Sequence, residues 1–303
     1  MNVLIGYDGS QYADWAIEEL QWAGIPEGSR VVILTAAPVW VEPPDELGGA
    51  TITEAAFRDT RAHSDMALSR SREMAEEAVK KFRPRFPQYK LEADAIADSP
   101  AWTIIQRAES WPADLIIVGS HGRSAIGRLL LGSISHRVLT HAQCAVRIAR
   151  KHREASDGGL RLLLGTDGSP DSAEALKTIL SRKWPEKTTV RVLSATGLDI
   201  AAGAGNWMIP PPPNWGDWAR RAADLAAQRL NDAKIQAEAI VSMSDPKAAL
   251  LAAAQQWPAD CVFLGASGMT GIERFLLGSV STTVAMHAPC TVEIAHHSPA
   301  ATA

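Results

Sequence analysis

The twenty residues GSHGRSAIGRLLLGSISHRV, at 119–138, return as GASGMTGIERFLLGSVSTTV at 265–284 with every glycine but one in register. The echo is not confined to that stretch. VLIGYDGSQYADWAIEEL at residues 3–20 matches LLLGTDGSPDSAEALKTI at 162–179, an offset of 159. WPADLIIVGSHG matches WPADCVFLGASG, and HAQCAVRIA matches HAPCTVEIA, both at an offset of 146, so the second copy lacks 13 residues between those blocks. A chain that repeats itself end to end must fold as two similar units, and 303 residues divide naturally into two domains of ordinary size.

The polar run RKHREASDGG separates the copies and reads as a linker, giving domains at residues 1–150 and 160–297. Within the first copy NVLIGY, RVVILTAA, KLEADAIA, DLIIVGS and AVRIAR read as strands, several continuously apolar as strands buried on both faces must be. Helical periodicity fills the gaps at Ala13 to Ala23, Thr53 to Phe82, Ala101 to Glu109 and Ser133 to Thr140. Alternating strands and helices predict an α/β fold in which each half is a doubly wound, mostly parallel five-stranded sheet of Rossmann-like character. PVWVEPPDELGGAT and GLDIAAGAGNWMIPPPPNW follow the second strand of each half and are expected as loops over the carboxyl edge, where open α/β sheets bind ligands.

Each copy places G-x-x-G directly after an apolar strand, at Gly119 and Gly122 and at Gly265 and Gly268. Nine residues on come Gly132 with Ser133, and Gly278 with Ser279, each opening an amphipathic helical stretch. Glycine admits close approach of backbone to a ligand, and free N–H groups at a helix start attract an anion, phosphate above all. Asp8 in YDGS and Asp167 in TDGS end the first strand of each half, at the same edge. Such a carboxylate either accepts hydrogen bonds from a ribose or an adenine, or holds magnesium, or simply helps cap the helix that follows.

Taken together, the first-strand Asp, DSP at 98–100 with SDP at 244–246, the G-2x-G-9x-G-S spacing and the closing C-x-V strand resemble the universal stress protein family, in its ATP-binding subgroup, over nearly the whole chain. The resemblance implies the adenine nucleotide alpha hydrolase-like fold and an adenine nucleotide as ligand: ATP, with AMP or ADP as alternatives and Mg2+ arriving with the nucleotide. It implies that Gly119, Gly122, Arg123, Gly132, Ser133, Ile134 and Ser135 enclose phosphates in the first half, and Gly265, Gly268, Gly278, Ser279, Val280 and Ser281 in the second. Asp8 and Asp167 would face the adenosine, and the backbone at Ala36 and Ala195 the adenine ring, although TAAP and SATG depart from the family's usual wording there. Family domains pair through their last strands, so a tandem chain is expected to form an intrachain pseudo-dimer, with a further homodimer open. In that pairing Arg147 would face Glu293, a favourable cross-strand match.

The copies differ in charge. Arg123, Arg128, Arg137, Arg147 and Arg150 mark the first motif region, against Arg274, Glu273 and Glu293 in the second, which favours anion binding in the first wherever those side chains face the site. A net charge of -4 gives no global reason to bind nucleic acid, no apolar run suits a membrane span, and the N-terminus lacks signal-peptide character, so a cytoplasmic location is expected. The three cysteines have no metal or disulfide spacing and apolar neighbours, and read as inert thiols. Walker, G-x-S-x-G and H-E-x-x-H patterns are missing, so the sequence suggests a regulatory nucleotide-binding module. A slow ATP hydrolase and a structural interaction protein with a vestigial second site are the alternatives.

Overall fold

Ten strands line up in one sheet in the computed structural model of the chain, which describes residues 1–37, 54–122, 131–151, 159–197, 215–268 and 277–296, without the side chains of 54–62 and 215. The first half contributes β1 (Asn2–Gly6), β2 (Arg30–Ala37), β3 (Lys90–Ala97), β4 (Leu115–Gly119) and β5 (Ala145–Ala149). The second contributes β6 (Arg161–Gly165), β7 (Thr189–Ala195), β8 (Gln236–Ser242), β9 (Cys261–Gly265) and β10 (Thr291–Ala295). Their order is β3-β2-β1-β4-β5-β10-β9-β6-β7-β8. All neighbours run parallel except β5 and β10, which join the halves antiparallel. The two five-stranded sheets are thus one continuous sheet, and the carboxyl edges of the two halves lie on opposite sides of it.

The crossovers are α1 (Gln11–Glu18), α2 (Glu54–Phe82), α3 (Pro100–Ser110) and α4 (Ser133–His141), then α5 (Pro170–Leu180), α6 (Trp215–Asp232), α7 (Pro246–Gln256) and α8 (Ser279–His287). The sequence expectation of one helix from Ala13 to Ala23 is corrected at both ends. Ser10 accepts from the Ala13 N–H and starts α1 early. A tighter turn over Glu19–Gln21 closes it, the Trp22 N–H donating to the Glu19 carbonyl. The shorter second copy reflects chiefly its crossover helix, 18 residues in α6 against 29 in α2. The repeated WPAD ends α3 and α7, where the Trp111 and Trp257 N–H groups donate to the last turn and their rings pack on the core. The second-strand loops, with Trp40, Trp207 and the proline run, fall outside the described residues.

The core explains why the halves stay together. On the face covered by α3, α4, α7 and α8 the apolar cluster is continuous, running through Val146, Ile148, Val292 and Ile294 across the seam. On the other face each half keeps its own cluster, one under α1 and α2, the other under α5 and α6. Side chains alternate faces along a strand, so Arg147 and Glu293 project between those two clusters. They are register partners, as the sequence suggests. Both are fully buried rather than solvated at an edge.

Arg147 donates to Glu293 at 2.8 Å and to buried Glu19 at 2.7 Å, while Arg182 donates to Glu293 at 2.8 Å and to the Ala23 carbonyl at 3.0 Å. Two cations meet two carboxylates, so no net charge is buried. Burial alone would raise the Glu293 carboxyl, but Arg182 and Arg147 outweigh it and hold the group below the ordinary carboxylate range.

Candidate functional site

The carboxyl edge of the first half gathers the doubled motif's residues around one cavity of about 320 Å³. Gly119, Gly122, Gly132, Ser133, Ile134 and Ser135 line it from the motif, Asp8 from the end of β1 and Ala36 from β2. Arg123 lies outside the described residues. The floor and wall include residues that motif spacing did not single out: Leu34, Pro100, Ile104 and Val118. Pro100 belongs to the DSP tripeptide, and Ile104 lies one helical turn beyond it, so an apolar residue four positions on was the available clue. His121, between the motif glycines, also lines the cavity, its Nδ1 3.1 Å from the Ser120 hydroxyl.

The DGS tripeptide divides its labour. Ser10 is the helix cap, whereas Asp8 accepts the Ser10 N–H through Oδ1 at 3.0 Å. Its other oxygen lies against Gly122, where an added Cβ would stand 3.1 Å from Oδ2. The second half repeats this: Asp167 Oδ1 accepts from the Ser169 N–H at 3.0 Å, Ser169 caps α5, and an added Cβ at Gly268 would stand 2.7 Å from Asp167 Oδ2. Gly9 and Gly168 between them sit at φ 75° and 77°, a region that favours glycine. The carboxylate is therefore bracketed between the first turn and the glycine loop in both copies.

The glycines ending β4 and β9 have a different task from ligand approach. A Cβ on Gly119 would stand 2.7 Å from the Tyr12 carbonyl oxygen, and one on Gly265 2.4 Å from the Asp171 carbonyl carbon. The first turns of α1 and α5 cross directly over these strand ends. Ser135 and Ser281 are committed too: each buried hydroxyl donates its proton to the carbonyl of that same glycine, at 2.6 and 2.7 Å. What they can offer an anion is their backbone N–H.

That offer stands at both helix starts. Gly132 and Gly278 precede α4 and α8 in extended conformation, and neither helix has a side-chain cap, in contrast to α1, α5 and α7. First-turn N–H groups have no intrahelical acceptor, and the positive end of the helix dipole adds to their pull on an anion. In α4 they open on the cavity lined by Ser133, Ile134 and Ser135.

The halves diverge around this common frame. Tyr12 sets its ring 5.0 Å from that of His121 in the first half. Their counterparts are Asp171 and Ser267, and Asp171 accepts from both the N–H, at 2.9 Å, and the hydroxyl of Ser267. A carboxylate thus holds the second loop where an aromatic pair holds the first. Trp218 of α6 also lies on the second DGS turn, an added Cβ at Gly168 standing 2.9 Å from its ring. Ala195 is partly buried at the end of β7, as Ala36 is near the end of β2. The charge asymmetry expected from sequence needs correcting: Arg147 and Glu293 are buried in the seam and Arg150 turns to α8, because β5 and β10 are the joint between halves. Arg123, Arg128, Glu273 and Arg274 lie outside the described residues.

Among the described residues no group of three metal-binding side chains comes together, and no helix is long and apolar enough to cross a membrane. Burial pushes the thiols of Cys144 and Cys290 up to about 12 and that of Cys261 well above its usual value, so all three are thiols at neutral pH.

The sequence model of the universal stress protein family matches residues 1–150 and again 160–296. A universal stress protein of Mycolicibacterium smegmatis is 29% identical over 306 residues, covering 97% of this chain and 96% of that protein. One from Mycobacterium tuberculosis is 26% identical over 315 residues, covering 98% and 97%. Among solved structures, that of a universal stress protein from Archaeoglobus fulgidus superposes with a TM-score of 0.61 at 18% identity, covering 97% of this chain and 98% of that one.

Proposed function

Because the chain belongs to the universal stress protein family, with two family domains in tandem, we propose that it is a regulatory module that binds ATP in its first half, its phosphates on the motif loop and its adenine near Ala36. The observation that carries this reading is the cavity itself. Its approximately 320 Å³ bring together an uncapped helix start, a glycine loop and a carboxylate, the combination needed for phosphate at one end and hydroxyl donors at the other. The α4 N–H groups bind the phosphates. Asp8 Oδ2 accepts from a ribose hydroxyl or shares Mg2+ with the phosphates. Leu34, Ile104 and Val118 exclude water from the base. Mg2+ would supply charge neutralisation for the triphosphate.

The second half is the weaker binder, since the Asp171 carboxylate on its loop repels an anion where Tyr12 and His121 do not. Nucleotide analysis of the freshly purified protein, followed by calorimetric titration with Mg-ATP, tests this. The expected outcome is intact ATP and one tight site per chain, lost in Gly122→Val, whose side chain would crowd Asp8. ADP accumulating over time would replace the regulatory reading with slow hydrolysis. No co-purified nucleotide and no saturable titration would sink it.

A further inference from the structure

The halves are related by a pseudo-twofold axis through the β5/β10 seam, so residues near it have counterparts 146 positions apart in the late blocks and 159 apart in the early ones. On one side of the axis the Arg150 guanidinium donates to the carbonyls of Ala285 at 2.6 Å, Cys290 at 3.2 Å and Met286 at 3.3 Å. It thereby satisfies the C-terminal turn of α8, whose last carbonyls have no intrahelical donor. Beside it, the Thr291 hydroxyl accepts from the Arg150 N–H and donates to Glu19.

On the other side each of these three residues is replaced by a smaller one: His296 for Arg150, Ala145 for Thr291 and Thr178 for Glu19. All three replacements line a cavity of about 370 Å³ between α3, the turn into β5, α5 and the end of β10. Its charge has changed along with its size. Glu109 and Glu174 line it where the counterparts are Gln255 and Trp15, while Asp114 corresponds to another carboxylate, Asp260. Gln143 donates to Glu109 and the Asn2 N–H to Asp114, both neutral donors, and among the described residues only Glu174 of the three has a cation, exposed Lys177 at 2.6 Å. Burial, against a smaller opposing pull from Asp171, pushes the His296 imidazole down to about 4, so it is neutral at pH 7. Its Nε2 is buried and has no hydrogen-bond partner among the described residues.

We propose that this cavity is a binding site for the guanidinium group of a small cationic molecule, seated beside Cys144 in the turn into β5 as Arg150 is seated beside its counterpart Cys290. The missing arginine side chain argues for this ligand by shape, and Glu109 and Glu174, set against the one carboxylate given up at Thr178, argue for it by charge. Charge-assisted hydrogen bonds from a planar guanidinium to carboxylates are the strong kind, and the volume admits the head group with a short alkyl arm.

Calorimetric titration of the full chain with agmatine is expected to show saturable one-to-one binding that weakens with salt, with putrescine, an amine without the guanidinium, binding less tightly. His296→Arg supplies the group covalently and is expected to abolish binding while raising Tm. Should that variant misfold, Glu109→Gln/Glu174→Gln decides, with an expected loss of at least about tenfold in affinity. No saturable binding to the unmodified chain, equal binding of putrescine, or unchanged affinity in a folded variant would overturn the assignment.

Discussion

At the scale of single residues the most demanding positions are the glycines ending β4 and β9. Gly119→Ala and Gly265→Ala would each force a Cβ into the backbone of a crossing helix, 2.7 Å from the Tyr12 oxygen and 2.4 Å from the Asp171 carbonyl carbon. Overpacking of this kind costs about 1–3 kcal/mol, and urea denaturation should place both variants below the parent, Gly265→Ala lowest. Gly216, in the first turn of α6, has open space around its would-be Cβ. There the same substitution should stabilise, by up to about 1 kcal/mol, because alanine is the better helix former. The glycine spacing was plain in the sequence, but its division of labour was not. Which glycine faces a helix and which a carboxylate depends on how α1 crosses β4, a contact between segments a hundred residues apart.

Elements were the most legible level. Buried parallel strands announce themselves as apolar runs, whereas the start of α1 was read from Ala13 although its cap, Ser10, stands in the sequence. Pro100 and Pro246 mark the starts of α3 and α7 equally well, yet the residues before them act differently. Asp245 accepts from the Lys247 and Ala248 N–H groups at 3.0 and 3.1 Å, whereas the Ser99 side chain makes no capping bond. Asp245→Ala should therefore cost about 1 kcal/mol of stability, with Ser99→Ala close to neutral, as thermal melts of the two variants would report. A tripeptide match between DSP and SDP conceals this, because capping depends on a side-chain rotamer as well as on the residue type. Leu34, Ile104 and Val118 were missed as cavity residues for a similar reason: in sequence they are indistinguishable from core.

For the whole molecule, the Arg147 to Glu293 register followed from alignment of the copies, but Glu19 and Arg182 did not. Neither has a charged counterpart in the other half, where Thr178 and Ala23 stand instead. Arg147→Met would leave two buried carboxylates with the single cation Arg182, and removing one partner of a buried pair costs about 3–5 kcal/mol. Equilibrium unfolding should show that loss without any change in nucleotide binding at the distant cavity. Both β5 and β10 are used up within the chain, so a second copy must attach elsewhere, by the outer strands β3 and β8 or by helical faces.

The asymmetric seam also acts as a pairing code. If residues up to Lys151 and residues from Gly159 onward were made as separate polypeptides, each would expose a last strand whose self-pairing sets arginine against arginine or glutamate against glutamate. Only the unlike pair sets an arginine opposite a glutamate across the joined strands. The two fragments should therefore reassemble one to one when mixed, making this chain a ready-made split protein whose halves select each other.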